Sequence, residues 1–131
     1  MAINLNLGNT EVIKDLGKKI QGNAQNITYA GTWMNNQSYP ITLAKGIYVV
    51  QGNITVQYNG SGEVIIVCDN VITHTNHQMI VGYGGPFNNQ PIPFCCVIDV
   101  GTDITSLPYR LWAAVAADTP CILYMSFVKI A

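Results

Sequence analysis

Residues 46–58, GIYVVQGNITVQY, decide the fold. Tyr48, Val50, Ile54, Val56 and Tyr58 fall on one side of an extended chain, and Val49, Gln51, Asn53, Thr55 and Gln57 fall on the other. Successive side chains of a strand point to opposite faces, so a period of two with one apolar side marks a half-buried β-strand. Gly52 interrupts the apolar row. A strand-interior glycine predicts either a bulge or the close approach of another backbone. The next four residues, NGSG at 59–62, have hairpin-turn chemistry. EVIIVCD at 63–69 then supplies an apolar returning strand.

The same period extends both ways. Upstream, NITYAGTW (26–33) and YPITL (39–43) read as short strands. Downstream come NVITHT (70–75) and QMIVGY (78–83), separated by an Asn-His turn. GGPFNNQPIP (84–93) carries three prolines in ten residues. Proline cannot donate to a sheet ladder, so this segment is expected to be the longest loop and an exposed tip. FCCVIDV (94–100) resumes with Phe94, Cys96, Ile98 and Val100 on one face, GTDITSLP forms another loop, and YRLWAAVAA and PCILYMSFVKI close the chain. Eight to ten short strands with turns between them argue an all-β antiparallel sandwich or barrel, not βαβ units.

Before residue 27 the pattern differs. INLNL (3–7) reads as a short strand or arm. Asn9 is placed to cap a helix carrying Glu11 in its first turn, a Val12, Leu16 and Ile20 stripe, Lys18 and Lys19 near its end, and Gly22 as its stop. Gly17 weakens that helix by about 1 kcal/mol relative to alanine. The expected division is an N-terminal arm with a short helix over 1–26 and one domain over 27–131.

Charged residues make up only 10% of the chain, against about 25% in a typical soluble domain. A folded monomer of 14.3 kDa exposes roughly 6,800 Å², so its surface is polar through Asn and Thr but thinly charged. One expectation is that part of it is covered by copies of itself or by a partner; the alternative is a neutral, Asn- and Thr-coated monomer. The net charge of −1 provides no basic field for nucleic acid. No run approaches the roughly 18 apolar residues that span a bilayer, and no secretory signal pattern is seen. Cys68, Cys95, Cys96 and Cys121 are therefore expected to be reduced thiols. The sequons at Asn26, Asn36, Asn53 and Asn59 are expected to be chance matches in an Asn-rich chain.

The last strands alternate poorly. Cys121, Leu123, Met125 and Phe127 point one way, and Ile122, Tyr124, Ser126, Val128 and Ile130 point the other, so both faces are expected to be covered. In 109–117, Leu111, Ala113 and Val115 oppose Trp112, Ala114 and Ala116. The purely aliphatic rows are assigned to the core. The mixed rows, Arg110 and Trp112 with Ile122, Tyr124, Ser126 and Val128, are assigned to a subunit interface, where aromatics and Arg are enriched. The alternative is that the N-terminal arm covers this face within one chain.

Trp33 followed by YPITLAKGIYVVQGNITV (39–56), a long antiparallel middle and a terminal YMSFVKI (124–130) resembles the tumour-necrosis-factor-like trimeric jelly roll, with Gly46, Tyr48, Tyr124 and Phe127 carrying the likeness over residues 30–131. The resemblance implies an all-β antiparallel jelly-roll sandwich, a homotrimer, and a last strand in the inner sheet near the threefold axis. Bacteriophage virions reuse this fold in fibre tips, tail-needle knobs and head-decoration proteins, and the low charge and Asn/Thr/Gly-rich loops are similar to those. With only some 26 residues ahead of the domain, the resemblance favours a capsid cap over a fibre tip. It implies a virion location, the major capsid protein as partner, and docking through Lys14, Lys18 and Lys19.

Chemistry finds little support in the spacing. Cys68, His74, His77, Cys95 and Cys96 do not match structural zinc patterns, and adjacent strand residues Cys95 and Cys96 point apart. Ser61 sits in a turn, not in the strand-to-helix elbow a nucleophile needs. Asp69, Asp99 and Asp103 read as turn residues. No enzyme activity, metal or cofactor is expected. The competing functional reading is a receptor tip in which Tyr83, Phe87, Asn88, Asn89 and Gln90 hold a host-surface glycan by stacking and amide hydrogen bonds.

Overall fold

The computed structural model describes residues 15–69 and 77–131, with side chains at 15–68 and 82–131. Its strands are β1 (Lys19–Gln21), β2 (Gln25–Thr28), β3 (Met34–Leu43), β4 (Gly46–Val56), β5 (Ser61–Asp69), β6 (His77–Pro86), β7 (Pro91–Val100), β8 (Ile104–Ala113) and β9 (Pro120–Lys129). All described pairings are antiparallel. One sheet runs β1-β9-β4-β7, with β2 also on β9, and the other runs β3-β8-β5-β6. Apart from β5 and β6, which are consecutive and pair with each other, sheet neighbours are distant in sequence and successive strands from β2 onward alternate between the sheets. That double Greek-key winding is a jelly roll.

The inner faces meet in one core. Buried Tyr48, Val50, Ile54 and Val56 of β4 and Leu123, Met125 and Phe127 of β9 face Tyr39, Val64, Ile66, Leu107 and Leu111 of the other sheet. Phe127 lies between Tyr39 and Tyr48, with ring centroids 6.4 and 6.5 Å away. The aliphatic rows expected in the core, Cys121 to Phe127 and Leu111 with Ala113, are buried there.

Gly52 introduces no bulge, because β4 keeps unbroken register with both β7 and β9. The alternative holds. A Cβ at Gly52 would lie 2.1 Å from the Tyr124 carbonyl oxygen and 2.9 Å from the Phe94 ring.

The N-terminal segment departs from expectation. The expected arm at 3–7, the helix residues 9–14 including Lys14, and the expected strand at 70–75 lie outside the described residues. Asp15 has helical backbone, Gly17 turns at φ +79, and Lys19–Gln21 is a strand instead of a helix end. The physical reason is tertiary: Ile20 pairs opposite Phe127 at the edge of β9, and strand pairing there outweighs a weak, glycine-interrupted helical stripe. β2 runs across the expected 26/27 boundary and also borders β9. Residues 15–28 thus extend the sheet edge to edge and do not lie over its face.

The expected loop over 84–93 is mostly strand. β6 runs to Pro86 and β7 starts at Pro91, leaving a four-residue turn in which Asn88 and Asn89 take left-handed φ of 49 and 54. The prolines are accommodated because β6 and β7 each form an edge of their sheet, where a missing N–H leaves no ladder broken.

Candidate functional surfaces

The residues assigned to one interface occupy two opposite faces. Ile122, Tyr124, Ser126 and Val128 line the outside of the β9 sheet, whereas Arg110 and Trp112 line the outside of the β8 sheet. Alternation explains the split: each mixed row is simply the outward row of its own strand, and the two strands belong to different layers. Strand assignment alone could not reveal this.

The outer face of the β9 sheet is a grid set by register. Val128, Val49 and Val97 lie abreast on β9, β4 and β7. Ser126, Gln51 and Cys95 form the next row, then Tyr124, Asn53 and Pro93, then Ile122, Thr55 and Pro91. None of these twelve residues is charged; Lys19 and Asp99 stand at the margin. Val97 is 56% exposed, and Tyr124, Ile122, Val128 and Val49 are half-buried. Ser126 is buried, and its hydroxyl donates to the Gln51 carbonyl at 3.2 Å, so it serves the sheet's own backbone. A shallow hollow of about 440 Å³ is lined by Gln51, Gly52, Pro93, Phe94 and Cys95.

The outer face of the β8 sheet is chemically different. Trp33 and Trp112 have ring centroids 6.3 Å apart, and the Arg110 guanidinium lies 5.7 Å from the Trp33 centroid. Trp112 is in register with Ile65, and Ile65 with Gly82. A smaller groove of about 220 Å³ is lined by Glu63, Ile65, Gly82, Tyr83 and Gly84.

The set proposed for glycan contact at the β6–β7 tip does not come together as an open surface. Phe87 is 1% exposed, packed between Tyr58 and Tyr83 at 6.3 Å from each. The Tyr83 hydroxyl donates to the Pro86 carbonyl at 2.9 Å. Asn88, Asn89 and Gln90 are exposed. The apolar anchor of the turn is therefore structural, a role its Gly/Pro-rich surroundings concealed.

Lys18 is exposed, with its ammonium 4.0 Å from the Asp15 carboxylate, and Lys19 lies in β1 opposite Val128. Lys129, the one charge near the C-terminus, is 1% exposed and its stem crosses the space left by Gly46. Among the described residues no three His, Cys, Asp or Glu side chains gather as metal ligands; His74 lies outside them. No disulfide links the cysteines. Burial pushes the Cys96 and Cys121 thiols up to about 11, which keeps them protonated and weakly nucleophilic.

No protein-family model matches the chain, and no curated sequence matches it. Solved structures match the chain at low identity. A carbohydrate-binding module from Cellvibrio mixtus lichenase 5A, in complex with cellotriose, is 15% identical, with 88% of this chain and 99% of that one covered and a TM-score of 0.39. The Eiger TNF of S. frugiperda is 9% identical over 86% of this chain and 90% of that one, with a TM-score of 0.42. A pentameric capsid protein from metagenomic phage sequences is 16% identical over 100% of this chain and 78% of that one, with a TM-score of 0.39.

Proposed function

We propose that this protein is a structural component of a phage particle: a homotrimeric jelly roll that binds the assembled head and stabilises it. The observation that carries self-association is the uncharged outer face of the β9 sheet, twelve positions across three strands without a full charge. Depletion of charge distinguishes the centre of an interface from ordinary surface. The opposite outer face, with Arg110 and Glu63, lacks this property. Ile122, Tyr124 and Val128 remain the contact residues of this reading, now joined by Val49 and Val97, while Arg110 and Trp112 leave it.

The virion role is supported by the family resemblance and the thin charge of the chain. Its mechanism is mass action: a cap that binds only the assembled lattice stabilises that lattice. Lys18 is exposed and available to an acidic shell surface.

Sedimentation at micromolar concentration tests the first step. The expected mass is three times the 14.3 kDa chain, and Tyr124→Glu is expected to give a folded monomer. A monomeric wild-type protein would refute the reading. Mixing the trimer with assembled shells and with unassembled capsid subunits tests the second step; binding to shells alone, with a raised shell melting temperature, is expected.

A further inference from the structure

The outer face of the β3-β8-β5-β6 sheet has features that self-association through the opposite layer leaves unused. Trp33 keeps 37% of its surface open although Arg110 lies over its ring. Half-buried Trp112 continues the aromatic surface towards Ile65 on β5, and Ile65 forms one wall of the groove that reaches Gly82 and Gly84 on β6. From Trp112 to Gly82 is two strand spacings, about 10 Å.

Gly84 is the informative position. It lies inside a strand, where glycine lacks a side chain to pack and weakens the sheet. Its φ is not in the left-handed region, and a Cβ there would meet nothing closer than the Glu63 Cγ at 3.8 Å. Gly52 is demanded by its neighbours; Gly84 is not. What its missing side chain does is keep the groove floor open beside the exposed Glu63 carboxylate. A strand-interior glycine marks a bulge, a tight bend or a close approach to the backbone; β5 and β6 keep register across Gly84, which excludes the bulge and favours a close approach.

We infer that this face binds a neutral oligosaccharide, laid across the strands from the Trp33–Trp112 pair into the groove over Gly84. The apolar C–H face of a pyranose ring stacks on indole, whose face carries negative charge density. Ring hydroxyls both donate and accept, so they can use the acceptor-only Glu63 and the donor-only Arg110 on one surface. An anionic glycan would meet the Glu63 carboxylate in the groove. The inference does not depend on the virion role and leaves the β9 face untouched.

Trp33 and Trp112 are the chain's two tryptophans, so intrinsic fluorescence reads the site directly. The probes are cellohexaose, xylohexaose and maltohexaose, a sialylated trisaccharide, and a proline-rich peptide. A saturable emission change with at least one neutral hexasaccharide is expected. Gly84→Val is expected to weaken it about tenfold or more while keeping or raising the melting temperature, and Trp112→Ala to abolish it. Sedimentation of each variant is expected to match the wild type. The inference is overturned if no neutral saccharide moves the emission, if the peptide or the sialylated sugar alone does, or if Gly84→Val binds as the wild type does. A Trp112→Ala protein that dissociates into monomers would instead assign this face to subunit contact.

Discussion

Two buried tyrosines show how one hydroxyl group can be structural and another dispensable. Tyr39 on β3 is fully buried, and its oxygen accepts from the Met125 N–H at 3.0 Å while donating to the Asn23 carbonyl at 2.7 Å. It thereby ties the two sheets together at the break between β1 and β2, where Gly22 leaves room for its ring. Tyr39→Phe strands the buried Met125 N–H and is expected to cost about 1–3 kcal/mol in urea unfolding. Tyr29 is equally buried, yet its hydroxyl has no hydrogen-bond partner among the described residues. Tyr29→Phe is expected to leave stability unchanged or raise it. Burial also raises the Cys96 and Cys121 thiols from an ordinary 9.0 to about 11 and the Tyr109 phenol from 10.0 to about 12. A raised pKa means the fold favours the neutral form, so this stabilisation is complete below pH 9 and is lost as pH climbs towards 11. Melting temperatures followed from pH 8 to 11 are expected to fall across that window.

At the scale of elements, strands were legible wherever one face is buried. The period-two row of β4 and the aliphatic rows of β8 and β9 could be assigned from residues alone, because burial imposes alternation. Two segments at sheet edges were not. The β1 residues carry a helical stripe, and only pairing with β9 makes them a strand. The prolines of β6 and β7 imitate a loop because an edge strand tolerates what a central strand does not. Gly52 illustrates a central strand's opposite intolerance. Gly52→Ala forces a methyl against the Tyr124 carbonyl in the middle of the β4–β9 ladder, and is expected to destabilise by about 3 kcal/mol or more, read by chemical denaturation.

At the scale of the whole molecule, the position of Cys95 offers an independent reading of assembly. It is exposed on the uncharged face, in register with Gln51, which in turn pairs with Ser126. In a trimer built on that face, alkylation of Cys95 by iodoacetamide is expected to be slow, and in the Tyr124→Glu monomer fast. Equal rates in both would place the subunit contact elsewhere. The sequence by itself determined the all-β class, the inward rows of the principal strands and the scarcity of charge, because periodicity and composition are local properties that burial writes directly into the chain. The tertiary structure alone decided which outward rows share a face. Arg110 with Trp112, and Tyr124 with Val128, look alike along the chain, but jelly-roll winding places β8 and β9 in opposite layers. Which layer a strand joins depends on pairing between segments far apart in sequence, and that long-range choice separated an expected single interface into an uncharged face and an aromatic groove.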